Sequence, residues 1–79
     1  MNLADAVGAR IEELMRERNI TQYKLSQLSG VSQATISDIR LKKYGAVNLR
    51  IIYELSDGLN IGLDEFFNSP LFKRENIEQ

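Results

Sequence analysis

Only Gly30 and Val31 separate the end of one short amphipathic segment from a fresh helix start at Ser32, and this spacing limits the fold more than any other feature of the chain. Gly30 can take the left-handed conformation that closes a helix, and the Ser32 hydroxyl can accept from a free amide of the next one. Thr21 supplies the N-cap for the first of these helices, with Leu25 and Leu28 expected inward, and Ile36 and Ile39 form the inward stripe of the second. Ser26 leaves room at the crossing, where a bulky side chain would push the helices apart.

The pattern extends in both directions. Val7, Ile11, Leu14 and Met15 form one face of a first helix, and Arg10, Glu12, Glu13, Arg16 and Glu17 fill the other. Asn19 is suited to close that helix, after which Ile20 folds back onto the apolar face. Gly8 either weakens the helix locally or admits another backbone. Periodicity fails from Lys42 to Val47, where Gly45 and the basic residues read as a loop. Asn48 caps a fourth helix with Leu49, Ile52, Leu55 and either Ile51 or Tyr53 facing the core, ending near Leu59 and Asn60. Gly62 and Leu63 to Phe67 suggest a short fifth helix with acidic residues in its first turn, stopped by Pro70. Residues 73–79 are polar and expected to fray. No run alternates for strand length and no repeat is present, so the sequence predicts an all-α, compact five-helix domain spanning 1–79, with its core over about 5–68.

With 79 residues, 43% hydrophobic and 27% charged, the chain falls in the class of a single globular domain with room for one core. Such a short chain buries roughly 60% of its unfolded surface, so modest stability is expected. Histidine and cysteine are both absent, which removes the usual general base, thiol nucleophile and soft-metal ligands. Glu12-Glu13 and Asp64-Glu65 are adjacent pairs on solvated turns, not converging carboxylates, and no glycine-rich phosphate loop exists. The sequence therefore predicts no catalytic residue, no metal site and no cofactor. The first residues lack a basic start followed by a long apolar run, and no stretch is long enough to span a bilayer, so a complete cytoplasmic protein is expected.

The formal net charge of −1 hides an asymmetry. From Arg16 to Arg50 there are seven basic residues and two acidic ones, whereas the rest of the chain holds three basic and nine acidic. Charge clustering of this kind gains meaning when the same segment carries a groove-reading element. Two short helices crossing at a tight turn form a helix-turn-helix, whose second helix can lie in the major groove of DNA while the first crosses the backbone. In that second helix Ala34, Ser37, Asp38 and Leu41 point away from the core, and Gln33 sits at the exposed N-terminal end.

The run Asn19-Ile20-Thr21-Gln22-Tyr23-Lys24-Leu25-Ser26-Gln27-Leu28-Ser29-Gly30-Val31-Ser32-Gln33-Ala34-Thr35-Ile36-Ser37-Asp38-Ile39 resembles the motif of the phage-repressor and Cro-like (Xre-type) helix-turn-helix regulators. The resemblance covers about Val7 to Phe67, and Leu55 to Phe67 resembles the closing helix pair of that lambda-repressor-like fold. It implies that Gln22, which opens helix two, grips a phosphate, and that Gln33, Ala34 and Ser37 read bases. Thr35, Arg40, Lys42 and Lys43 are assigned to phosphates with Gln22, the lysines because they follow the reading helix instead of entering the groove.

Two departures stand out. Many members pair an arginine late in helix one with a glutamate at the end of helix three, whereas this chain has Met15 and Arg40. That ion pair is expected to be missing and Arg40 free to approach DNA. The family often closes helix three with Gly, where this chain has Lys42, followed by Lys43 and Tyr44. The expected function is a sequence-specific transcriptional regulator of double-stranded DNA, a repressor in particular. The competing reading is an antitoxin or other protein-interaction module on the same fold. One module covers roughly 600 to 1,000 Å² of its surface on DNA, so a homodimer on an inverted repeat is expected. Its interface is assigned to helix five and Phe67, Leu71 and Phe72, with the core as rival for each. No membrane partner or small-molecule effector is expected.

Overall fold

The computed structural model describes residues 1–43 and 45–78. The loop reading at Tyr44 and the last residue of the tail, Gln79, fall outside the described residues. Five α-helices are present among them, α1 (Leu3–Arg18), α2 (Gln22–Ser29), α3 (Gln33–Arg40), α4 (Leu49–Gly58) and α5 (Leu63–Phe66), followed by two 3-10 turns at Pro70–Phe72 and Arg74–Asn76.

Side-chain caps set the helix starts. Thr21 Oγ1 accepts from Lys24 N at 3.0 Å, Ser32 Oγ from Thr35 N at 3.1 Å, and Asn48 Oδ1 from Ile51 N at 2.8 Å. Each satisfies one of the amides that a helix leaves unpaired at its N-terminus. Asn19 closes α1 in the left-handed conformation (φ 52°), and Ile20 N bonds back to Met15 O at 3.1 Å. Gly30 closes α2 with φ 78°. α1 starts earlier than its apolar periodicity suggests, because Asn2 accepts from Asp5 N and so adds a turn carrying the buried Ala4 and Ala6.

The core joins Val7, Ile11, Leu14 and Met15 of α1 to Leu25, Val31, Ile36, Ile39, Ile52, Leu55, Leu59 and Phe66. α1 packs on α3, and α2 packs on both α3 and α4. Two of these contacts are between backbones. A Cβ on Gly8 would lie 2.6 Å from the Ile39 carbonyl oxygen, and one on Gly58 would lie 2.7 Å from Ser29 Cα. Gly8 thus serves close approach, and Gly58 does the same for α4 without having been singled out in the sequence.

Two inward assignments need correction, and one outward assignment does as well. Leu28 is exposed, because the face of α2 turned to the core runs from the buried Leu25 to the half-buried Ser29 against Gly58, one residue further round the wheel. Leu49 is exposed at the first turn of α4, beyond the edge of the core. Of Ile51 and Tyr53, Ile51 packs on the core and Tyr53 is exposed. The outward assignment is Arg10, placed on the solvent face by its charge but only 7% exposed. Its Nε donates to Phe66 O at 2.7 Å, its Nη2 to Glu65 O at 2.8 Å and its Nη1 to Glu13 Oε1 at 2.8 Å. The guanidinium caps the carbonyl end of α5, where acceptors lack helical partners and a cation is favoured.

The segment after α5 folds back onto α1 as well, as far as residue 78. Ser69 Oγ accepts from Leu71 N and donates to Glu13 Oε1. Phe67 and Phe72 meet edge to face at 4.9 Å between centroids, and Phe66 and Phe67 do so at 5.1 Å. Asn76 Nδ2 donates to Pro70 O at 2.7 Å, and Glu78 N donates to Met1 O at 2.8 Å. Pro70 opens a turn instead of stopping α5, which already ends at Phe66. Closure of both ends onto α1 fits the Cα radius of gyration of 11.6 Å, the value of about 11.6 Å expected for a compact chain of this length.

Candidate nucleic-acid interface

The turn between α2 and α3 is held from both sides. Ser26 Oγ donates to Val31 O at 2.7 Å, and Ser29 Oγ accepts from Val31 N at 3.1 Å. Val31 itself is 6% exposed and anchored in the core. With the peptide groups of Val31 bonded and its side chain buried, the angle between the two helices is set by local contacts instead of by the loop's own flexibility. Ser26 is therefore more than a small residue at a crossing, since its hydroxyl closes the turn.

α3 is pinned by Ile36 and Ile39, which are 0% and 1% exposed. The opposite side displays Gln33 and Ala34, both exposed, with Ser37 and Asp38 half-exposed one turn later and Leu41 exposed beyond them. The candidate base readers Gln33, Ala34 and Ser37 thus share one accessible face, beginning at the helix N-terminus. Thr35 is half-buried, and its hydroxyl oxygen accepts from Ser32 Oγ at 2.9 Å.

Gln22 and Arg40 meet. Gln22 Nε2 donates to Gln33 O at 3.3 Å, and Gln22 Oε1 accepts from Arg40 Nη1 at 2.9 Å. Arg40 Nε donates to Glu12 Oε1, completing an ion pair between α3 and α1. This corrects the expectation of an unpaired Arg40. The ion pair exists with its polarity reversed, the acid on α1 and the cation on α3. The acid stands three residues before Met15, which is itself buried. A search for an acid one turn away from Met15 would have found Glu12.

Lys42 occupies the left-handed conformation with φ 61°, the position where Gly would be free of strain. Its N–H bonds to Ile39 O and that of Lys43 to Asp38 O, so the end of α3 is closed despite the missing glycine. Lys43 Nζ lies 3.8 Å from Asp38 Oδ1. Among the described residues, four cations of the basic stretch meet a carboxylate, Arg18 with Glu65, Arg40 with Glu12, Lys43 with Asp38 and Arg50 with Glu54. Solvent-exposed pairs at 3.5 to 3.8 Å are weak, so a phosphate competes for such cations at little cost.

Of the residues assigned to self-association, Phe67, Leu71 and Phe72 are all half-buried, and the two phenylalanines already pack on the core. Phe67 also lines an open apolar groove of about 550 Å³ with Leu3, Val7, Val47, Leu49 and Ile52. Among the described residues, no group of three acidic side chains could hold a metal ion, and no helix is long and apolar enough to cross a membrane.

No curated protein and no solved structure was found to match the chain. A family model does match, over residues 10–70, and its description is the Cro/C1-type HTH DNA-binding domain. That span contains the capped helix pair, the locked turn, the exposed face of α3 and the Arg10-capped end of α5. The chain is a member of the Cro/C1-type helix-turn-helix DNA-binding family.

Proposed function

We propose that the protein is a sequence-specific transcriptional regulator, acting as a repressor that occupies an operator in double-stranded DNA. α3 enters the major groove, Gln33, Ala34 and Ser37 read bases, and Gln22, Thr35, Lys42 and Lys43 hold phosphates, with Arg40 beside them. The observation that carries this reading is the exposed polar N-terminal face of α3 on a helix whose other face is fully buried and whose entry turn is hydrogen-bonded on both sides. A glutamine presents donor and acceptor together to adenine N6 and N7, an alanine methyl favours the thymine methyl, and a serine hydroxyl bonds several bases. Gln33 should therefore prefer an A·T pair.

The protein acts as a homodimer on an inverted repeat, which sets two reading helices about 34 Å apart on one face of the duplex. α5 with Phe67, Leu71 and Phe72 supplies the interface, supported by the partial exposure of these three residues and by the apolar groove that continues from Phe67. An interaction module would instead bury apolar residues at that face, where this chain presents Gln33 and Ser37 flanked by basic residues.

Selection of bound duplexes from a random DNA pool tests the reading. It should enrich an inverted repeat whose half-sites contain an A·T pair sensitive to Gln33→Ala. Enrichment of no common sequence would overturn sequence-specific recognition, and a single half-site bound one to one in the ultracentrifuge would overturn the dimer.

A further inference from the structure

A glutamine side chain is ambiguous by itself. Its oxygen and its NH2 group sit at the two ends of one flat amide, and rotation about the last torsion exchanges them. Phosphate oxygens only accept hydrogen bonds, so a phosphate contact from Gln22 uses one of the two orientations. Two groups in the fold select between them, and they select the same one. Arg40 has only donors, and its Nη1 lies 2.9 Å from Gln22 Oε1. The Gln33 carbonyl only accepts, and it lies 3.3 Å from Gln22 Nε2. With the oxygen taken by the cation and one N–H turned to the carbonyl, the second N–H is left for a ligand that accepts.

Arg40 is in turn held from behind. Glu12, half-buried on α1, accepts from its Nε, so the guanidinium is fixed between an acceptor on α1 and an amide at the first turn of α2. A cation bonded to the amide oxygen also draws charge from the NH2 group and strengthens it as a donor.

We propose that Arg40 and Glu12 are positioning residues for DNA binding, which act through Gln22 by holding its NH2 group toward the phosphate. The proposal rests on the reading of Gln22 as a phosphate contact. It assigns Arg40 a role different from neutralising a phosphate itself, and different from merely stapling α3 to α1. It also gives Glu12, an acid beside a DNA-binding surface, a reason to be there: without it, the guanidinium would be free to turn away from the amide.

The test is a double-mutant cycle on the full chain, titrated against the duplex enriched by selection at several salt concentrations. Gln22→Ala should weaken binding about tenfold or more, the loss of one hydrogen bond to a charged group. Arg40→Met should lose a comparable factor in the native background and less than about twofold further in the Gln22→Ala background, since coupled residues are non-additive. The salt slope of log K should change no more in Arg40→Met than in Gln22→Ala. Glu12→Leu should weaken binding in the native protein but not in Arg40→Met. In the free protein, the Gln22 side-chain amide resonances should shift in Arg40→Met, a readout that needs no DNA.

Equal losses from Arg40→Met in both backgrounds would overturn the proposal and leave the DNA-binding reading standing. A fall of about one unit in its salt slope would then assign Arg40 directly to a phosphate. If Gln22→Ala left affinity unchanged, both the phosphate role of Gln22 and the proposal would fall. A native protein that bound no duplex in the pool would overturn the functional reading and the proposal with it.

Discussion

The turn that aims α3 and the joint that closes α5 onto α1 are both polar constructions, but they are built over very different distances along the chain. In the turn, Ser26 and Ser29 bond Val31, and Ser32 bonds Thr35, so every partner is a near neighbour. In the joint, Arg10 reaches carbonyls 55 and 56 residues away, and Glu13 meets Ser69 across 56. The first draws all its partners from one stretch of the chain. The second joins α1 to the segment that follows α4. This chain thus combines a locally encoded helix-turn-helix with a remotely encoded clasp.

If the clasp carries stability, its loss should be the largest single effect. Arg10→Met would leave the carbonyls of Glu65 and Phe66 without their donor, a loss of about 3 kcal/mol. Urea denaturation should show it, together with a fall in Tm of roughly 12–24 °C. A change below half that size would mean that α5 is held by Phe66 packing alone.

The contact between the two regions comes next. In Gly8→Ala the added methyl would press on the Ile39 carbonyl, 2.6 Å away, and the overpacking should cost about 2 kcal/mol despite the better helix propensity of alanine. Because the displaced carbonyl belongs to α3, affinity for DNA should fall in parallel. Stability lost without affinity would show that the reading unit keeps its orientation independently of α1.

Ser26→Ala removes the bond to Val31 O and should cost about 1 kcal/mol. Amide exchange should quicken in the turn and not at Phe66, since the local unit is the one loosened. Lys42→Gly should give the smallest effect and the opposite sign. Relief of the left-handed strain at φ 61° should stabilise the fold by about 0.5–1 kcal/mol, less the entropy that glycine adds to the unfolded chain.

Sequence order explains which features could be read in advance. Thr21, Gly30, Ser32, Asn48 and Asn19 cap or close helices through neighbours a few residues away, so composition and spacing reveal them. The exposed face of α3 follows from the same local periodicity once Ile36 and Ile39 are turned inward. Arg10 was misplaced because apolar periodicity assigns a cation to solvent, and nothing near it in sequence announces two waiting carbonyls. The Glu12–Arg40 pair was missed because its partners are 28 residues apart and their polarity is the reverse of the resembling family's pattern. Leu28 and Leu49 show another limit: a helical stripe can be read from the chain, but the edge at which a neighbouring helix stops covering it cannot.

One comparison bears most directly on the proposed division of roles, in which α3 reads bases and the cations after it hold the backbone. Gln33→Ala and Lys43→Ala are titrated against matched and scrambled duplexes at several salt concentrations. Gln33→Ala should lose roughly 1 to 3 kcal/mol on the matched duplex, relax selectivity at one base pair, and leave binding to the scrambled duplex unchanged. Lys43→Ala should weaken both duplexes alike and lower the salt slope of log K by about one unit. Equal loss on both duplexes from Gln33→Ala, or an unchanged salt slope in Lys43→Ala, would contradict the division of roles even if the protein still bound DNA.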